Sequence, residues 1–120
     1  MRPHEKLDVW RNSIDLVVDL YKATDAFPRD ERFGLTSQLR RAAVSIPANI
    51  AEGAARRSNK EFAHFLSNSQ GSTSEVETEL LIAFRLGYLS EDVSAALCSP
   101  LDDIGRMITG LSRHLRPMDQ

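Results

Sequence analysis

The sequence predicts an all-α protein, an antiparallel up-down-up-down four-helix bundle. Along four segments, apolar residues recur at steps of three and four, which is the period of an amphipathic helix. Short polar connections join these segments, and no run alternates as a half-buried strand does. Amphipathic helices joined by short loops form such bundles. We expect one domain over residues 1–120, with helices at about 8–24, 36–55, 59–86 and 90–115.

Capping residues predict where the helices begin and end. Ser58 and Glu61 have the spacing of a capping box at the start of the third helix. Gly87 predicts the left-handed end of that helix. The other predicted N-caps are Asp8, Thr36 and Ser90. At the end of the fourth helix, Arg116 suits the negative pole of the helix and Pro117 closes the fold.

The second helix is apolar almost all round, and the rest of the chain is organised around it. Its first apolar row contains Leu39, Ala42, Ala43, Ile46, Ile50 and Gly53. A second row contains Val44, Pro47 and Ala51, and only Ser45, Ala48 and Asn49 are left to face water. Such a helix is normally buried on every side. We therefore expect the bundle core to cover the first row and a second copy of the protein to cover the second.

Two local features of the helices carry further expectations. Pro47 lacks the N–H that would bond to Ala43, so we expect a bend there or a helix that restarts with Ser45 as its cap. Residues 71–74, with the sequence Gly-Ser-Thr-Ser, are weak helix formers. We interpret this stretch of the third helix as a place where another helix backbone comes close.

The charges are unevenly spread although the net charge is only −2. Residues 29–60 contain seven basic and three acidic residues, whereas residues 61–103 contain one basic and eight acidic residues. The basic side chains could contact phosphates. They could equally pair with carboxylates within or between subunits. The acidic balance of the whole chain, and the lack of an aromatic platform among the arginines, favour the second interpretation.

No motif predicts an enzyme, a cofactor or a metal site. Glu61 and His64 have the spacing of a di-iron ligand pair, but the chain has no second such pair. Nucleophile, phosphate-loop and dinucleotide motifs are missing. Glu75 and Glu79 share a helix face, which we interpret as a solvated or salt-bridging edge. A single cysteine, Cys98, and the lack of a signal region or a membrane-length apolar run favour the cytoplasm.

Most of the chain resembles the bacterial four-helix-bundle proteins known as 23S rRNA-intervening-sequence, or S23-type, proteins. The matching segments are Leu7–Trp10, Phe27–Pro28, Glu31–Gln38, Arg40–Gly53, Phe62, Phe65–Leu66, Gly71–Ser72, Glu75 and Leu86–Leu89. The resemblance implies a four-helix bundle that assembles into a homopentameric ring. It also implies kinship with the accessory protein of diversity-generating retroelements, a basic pentamer that binds nucleic acid and a reverse transcriptase. This sequence differs from that relative in being acidic overall.

Two functional hypotheses follow, and a third, a metal-dependent enzyme, is kept only because of Glu61 and His64. The first is a non-enzymatic homo-oligomeric scaffold, a pentameric ring that presents a surface to a larger protein partner. Its predicted subunit interface contains Arg40, Arg41, Val44, Pro47 and Ala51. The second hypothesis is an accessory factor that binds RNA or DNA. Its predicted contacts are Arg40, Arg41, Arg56, Arg57 and Lys60. The hypotheses differ in whether the arginines are exposed or engaged with carboxylates.

Overall fold

The structure, a computed structural model, describes residues 1–115. This part of the chain contains four α-helices and no strand, which confirms the all-α prediction. The helices are α1 (Asp8–Thr24), α2 (Leu35–Ala54), α3 (Asn59–Arg85) and α4 (Glu91–His114). Every boundary lies within one residue of its predicted position. Arg116 and Pro117, expected at the end of the last helix, lie outside the described residues.

The helices pack side by side in an elongated body that measures 49 × 23 × 21 Å. Each helix contacts the next one in the chain, and α1 also contacts α4. Within residues 1–115 the diagonal pairs, α1 with α3 and α2 with α4, have no Cα atoms within 8 Å of each other. This is the contact pattern of an up-down-up-down bundle. All four helices therefore share one core and leave four outer faces between neighbouring helices.

The core is one continuous cluster of apolar side chains from all four helices. Its largest fully buried members are Leu16, Leu20, Leu39, Ile46, Ile50, Leu66, Leu80, Ile104 and Ile108. Every residue of the first apolar row of α2 is buried, as predicted. α2 packs most extensively against α3. The first row of α2 thus supplies the surface on which the bundle core is built.

α2 and α3 approach each other closely at Gly53. A Cβ atom there would lie 2.8 Å from Phe65 Cβ and 2.9 Å from Phe62 Cδ1. Farther along the pair, the Ser69 hydroxyl donates to the Ile46 carbonyl at 3.0 Å. Residue 53 of α2 contacts residues 62 and 65 of α3, whereas residue 46 contacts residue 69. Because the numbers rise along one helix as they fall along the other, the two helices are antiparallel here. A larger residue at position 53 would push the helices apart.

The stretch Gly71–Ser74 was expected to be such a close approach, and the structure corrects this in part. Gly71 is exposed, and no described atom lies within 4 Å of a Cβ built on it. Ser72 and Thr73, in contrast, are buried. The Ser72 and Ser45 hydroxyls share a hydrogen bond of 2.7 Å between α3 and α2. The small polar side chains here therefore serve as hydrogen-bond partners between the helices, whereas Gly71 is not at a helix contact.

Three of the five predicted caps are confirmed, although the capping box forms only its Ser58 half, without a hydrogen bond from the Ser58 N–H to the Glu61 side chain. Ser58 Oγ accepts from the Glu61 N–H at 3.1 Å, and Ser90 Oγ accepts from the Val93 N–H at the same distance. Gly87 has a φ of 82°, and the N–H of the next residue donates to the carbonyl of residue 83, which closes α3. Gly is suited to this position because other residues rarely adopt a positive φ.

The other two caps are wrong. Asp8 lies inside α1, whose N-cap position is Leu7. Thr36 lies inside α2, where Glu31 takes the capping role by accepting from the Leu35 N–H at 3.2 Å. Glu31 also accepts from the Tyr88 hydroxyl at 2.9 Å. One carboxylate therefore joins the start of α2 to the connection between α3 and α4, which the local sequence does not reveal.

The predicted restart of α2 at Ser45 is wrong. The helix is continuous from Leu35 to Ala54 and contains the proline in its interior. Ser45, the alternative cap, lies inside the helix and pairs with Ser72 instead. The packing of the first row against the core therefore holds the segment helical despite the missing N–H of the proline.

We predict opposite effects for alanine at two glycines. Gly53→Ala should lower the free energy of unfolding by about 1–3 kcal/mol, because its methyl group overpacks the contact between α2 and α3. The matched control, Gly71→Ala, should raise that free energy by about 0.5–1 kcal/mol, because it removes a flexible residue from an open helix position. Urea unfolding followed by circular dichroism measures both. Equal effects would contradict the close approach at Gly53.

Candidate interaction surface

The outer face between α1 and α2 carries exposed apolar side chains. Ile14, Val18 and Tyr21 lie on one side of α1, since their spacing of four and three residues follows the helix. Val44 of α2 lies beside them across a groove of about 500 Å³ that Val18, Tyr21 and Val44 line. These four side chains are 37–47% exposed. We call them the apolar strip.

Arg40 crosses the strip and binds its own chain. Its Nε donates to Thr24 Oγ1 at 2.9 Å, and its Nη2 donates to the Tyr21 carbonyl and to Asp25 Oδ1, each at 3.1 Å. The guanidinium also lies over the Tyr21 ring, 4.4 Å from its centre. Thr24 is buried. Arg40 therefore ties the end of α1 to α2, and its charge is already engaged.

Arg41, the next residue, is in a different situation. It is exposed and forms no hydrogen bond or ion pair with any residue of the described chain. A groove of about 680 Å³ runs along α2 beside it and continues to Tyr21, Val44 and Phe33. Phe33 is 86% exposed, under the guanidinium of Arg32 at 4.8 Å. The groove thus extends the strip and adds two exposed side chains to it, the guanidinium of Arg41, which has no ion-pair partner in the described chain, and the ring of Phe33.

The second apolar row of α2 divides in the structure. Val44 is exposed and belongs to the strip, Ala51 is half-buried, and Pro47 is buried within the chain. The row was expected to lie open as a unit, and the burial of Pro47 corrects that expectation. Ser45 and Asn49, expected to face water, are half-buried, and the Asn49 amide donates to both oxygens of Ser45 at 2.9 Å.

The basic residues predicted to contact nucleic acid do not form one surface. Arg56 donates to Glu52 at 3.0 Å and lies over the Phe65 ring, with 4.7 Å to its centre. Arg57 and Lys60 are exposed and form no ion pair within the described part of the chain. Fourteen residues, about 21 Å of helix, separate Arg40 from the end of α2 at Ala54, and Arg56, Arg57 and Lys60 follow that end. The cations therefore lie in two groups, one in the first half of α2 and one beyond its end.

A second exposed apolar surface, which the sequence analysis missed, surrounds the end of α3. Leu81, Ile82, Phe84 and Leu86 are 39–54% exposed, and we call them the α3 end. The residues between them that face the core, Leu80 and Ala83, are buried. The signal was present, because residues 80–84 form an uninterrupted apolar run that no single helix face can bury.

Glu79 is buried, which corrects the expected solvated edge. It is only 9% exposed, and its Oε1 accepts no hydrogen bond from residues 1–115. Burial, followed by the nearby charge of Glu75, raises the pKa of the Glu79 carboxyl above its ordinary value. Glu75 itself is exposed. The helical period carried the signal, since Glu79 lies three residues after Val76 and four before Ala83, both core residues.

Other chemistry has little support in this part of the chain. Glu61 and His64 are both exposed. Among residues 1–115, no three His, Cys, Asp or Glu side chains are grouped so that they could hold a metal ion. None of the four helices has the length and apolar content needed to cross a membrane. The strip, its groove and the α3 end are therefore the surfaces from which a function must be argued.

The contacts of Arg40 and Arg41 predict unequal effects of substitution. Arg40→Met should lower the free energy of unfolding by about 1–3 kcal/mol, because buried Thr24 and the end of α1 lose their hydrogen-bond partner. Arg41→Met, which removes the same charge one residue later, should change it by less than about 0.5 kcal/mol. Thermal and urea unfolding distinguish the two. If Arg40→Met leaves the free energy of unfolding unchanged, the observed hydrogen bonds do not hold α1 to α2.

The burial of Glu79 predicts a pH-dependent stability. Because its folded-state pKa is raised, the folded chain holds this proton more tightly than the unfolded chain, and ionisation at higher pH destabilises the fold. Glu79→Gln should therefore raise the free energy of unfolding by about 1 kcal/mol at pH 7. The gain should vanish below the ordinary value of 4.5, where the carboxyl is protonated in both states. Glu77→Gln, at an exposed position, is the control. A gain that is unchanged at low pH would contradict the raised pKa.

Comparisons with known proteins agree with this fold. The model of a family described as 23S rRNA-intervening sequence protein matches residues 5–110. The chain is also similar to the crystal structure of a protein with unknown function from the S23 ribosomal protein family, from Bacteroides thetaiotaomicron VPI-5482. The TM-score is 0.78 and the identity 22%, and the match covers 88% of this chain and 98% of that one.

At that identity, the likeness to the solved structure shows the fold alone. No functionally curated protein matches the chain. The family match is a stronger result, because it spans most of the sequence and all of α1, α2 and α3. The chain therefore belongs to the family of 23S rRNA-intervening sequence proteins.

Proposed function

We propose that the protein is a non-enzymatic helical scaffold that works as a homo-oligomer. The observation that carries the proposal is the apolar strip. Four large side chains form one surface, and they remain 37–47% exposed although Arg40 of the same chain crosses it. Contiguous apolar surfaces of this kind mark interaction sites in folded proteins. Val44 was predicted to lie in the subunit interface, and it is a member of the strip.

The strip alone is too small for tight association. Burying a large apolar side chain contributes about 1.5–3 kcal/mol when it starts fully exposed, so four half-exposed side chains contribute roughly 3–6 kcal/mol. Association costs about 4–15 kcal/mol in lost freedom of motion. A stable oligomer must therefore bury further surface on each copy, and the groove with Phe33 continues the strip in the required way.

The assembly we propose is a closed ring. The resemblance of the sequence to S23-type proteins implies five copies, and a ring of copies offers repeated sites to a larger protein partner. Arg40 supports the fold within each copy, whereas Arg41 remains available at the edge of the interface. The predicted interface residues thus have separate roles, with Val44 as an apolar contact and Arg41 as a charged one.

Binding of RNA or DNA is the second candidate. Arg41, Arg57 and Lys60 favour it, because they are exposed and have no ion-pair partner among residues 1–115. Arg40 and Arg56 count against it, since both are engaged within the chain. Three phosphate contacts would give a slope of about −2 to −3 when log affinity is plotted against log salt concentration. Binding of random RNA or duplex DNA with that slope would support this candidate over the scaffold.

Light scattering tests the scaffold directly. We expect the wild-type protein to have a mass that is a multiple of 13.4 kDa, five copies in the case of a pentamer. Val18→Asp places a charge in the strip and should reduce the mass to one chain, because burying an unpaired carboxylate is unfavourable. Ser99→Asp adds the same charge at an exposed position of α4 and should leave the mass unchanged. A wild-type protein with the mass of one chain would contradict the proposal.

A further inference from the structure

We propose that the α3 end of one copy docks on the apolar strip of another copy. The inference rests on the proposed self-association and names the two surfaces that meet. It makes the contact one between unlike surfaces, rather than a strip packed on a second strip. Each copy then offers one surface of each kind, and the two are supplied by different helices.

The α3 end is an uncovered surface in its own right. Leu80 and Ala83 face the core, while Leu81, Ile82 and Phe84 are exposed around the same turns. The helix is therefore apolar on every side at this point, and only Arg85 interrupts the run. A helix that is apolar all round is normally buried. Leu86, at the end of the helix, extends the exposed surface.

The same chain cannot bring its α3 end onto its own strip. The strip belongs to α1 and α2, and within residues 1–115 α1 and α3 are diagonal helices with no Cα atoms within 8 Å of each other. The side chains of the α3 end are exposed and point away from the bundle core. If both surfaces are to be covered, a second molecule must cover them.

The charges around the two surfaces favour a second copy of this chain as that molecule. Apart from Arg40, which is paired with Asp25, the two grooves at the strip are lined by three basic side chains, Lys22, Arg32 and Arg41, and by one acidic one, Glu52. Residues 75–92, which contain the α3 end, have four exposed acidic side chains and one exposed basic side chain, because Glu79 is buried. Opposite charges at the rims of two apolar surfaces orient them toward each other and oppose the pairing of like with like.

The pairing has a consequence for the assembly. A contact between unlike surfaces leaves one strip free at one end of the chain of copies and one α3 end free at the other. Such heterologous contacts continue until the assembly closes into a ring, or else grow into a filament. Each contact also adds the side chains of the α3 end that face the strip to those of the strip itself, so it buries more apolar surface than the strip supplies alone.

A mixing experiment tests the pairing. Val18→Asp spoils the strip and leaves the α3 end intact, whereas Leu81→Asp spoils the α3 end and leaves the strip intact. We expect each variant alone to have the mass of one chain. Mixed in equal amounts, they should form a complex of twice that mass, because one strip and one α3 end remain usable. Circular dichroism checks that each variant keeps its helix content, and Leu86→Asp replaces Leu81→Asp if the latter does not fold.

Three outcomes would overturn the inference while the scaffold proposal stands, and a fourth would overturn both. If Leu81→Asp and Leu86→Asp assemble as the wild type does while Val18→Asp does not, the strip binds something other than the α3 end. If a variant with only one intact surface assembles with itself, like surfaces pair with like, and if folded variants remain single chains on mixing, the strip and the α3 end do not pair. If the strip is bound by a different protein, the wild type alone has the mass of one chain, and the scaffold proposal fails as well.

Discussion

The close packing of α2 on α3 is the contact on which the rest of the structure depends. Gly53 allows the two helices to approach at one end, and the hydroxyl of Ser69 bonds to the backbone of α2 farther along. This contact buries the first apolar row of α2 and holds the helix together through Pro47. It also determines which side chains of α2 are exposed, and among these Val44 and Arg41 belong to the proposed interface.

Two surfaces of the described chain remain apolar and exposed after the core has formed. The strip lies on α1 and α2, and the α3 end lies on the last turns of a helix of 27 residues. Single exposed apolar residues are ordinary in folded proteins. Contiguous sets on separate helices are not, and a scaffold that repeats one contact between copies accounts for both sets at once.

The fold could be predicted from the sequence because periodicity and local capping agree. The helices, the first row of α2 and the caps at Ser58, Ser90 and Gly87 all follow from local patterns. The capping role of Glu31 depends on contacts made by the folded chain, with Tyr88 lying 57 residues away. Thr36 was a reasonable cap by residue type, but the chain enters the helix one residue earlier.

The candidate site was less accessible to sequence reasoning. The pattern marked α2 as a helix with a second apolar row, yet it could not tell that Pro47 would be buried and that Arg40 would bind α1. Whether an arginine is free depends on which helix packs beside it, and Arg40 and Arg41 differ only in that respect. The sequence did carry signals for the other two features. The uninterrupted apolar run of residues 80–84 indicates the α3 end, and the spacing of Glu79 from core residues indicates its burial, although glutamate is usually exposed.

Hydrogen exchange at different protein concentrations tests the central claim, that another copy covers both apolar surfaces, most directly. Dilution from about 100 µM to about 1 µM should release copies from the assembly and increase the exchange of segments it protected. We predict that residues 14–21 and 81–86 lose protection together on dilution, whereas residues 92–103 of α4 do not change. Exchange that is independent of concentration in all three segments would contradict the account, because the surfaces would then be uncovered in the working protein.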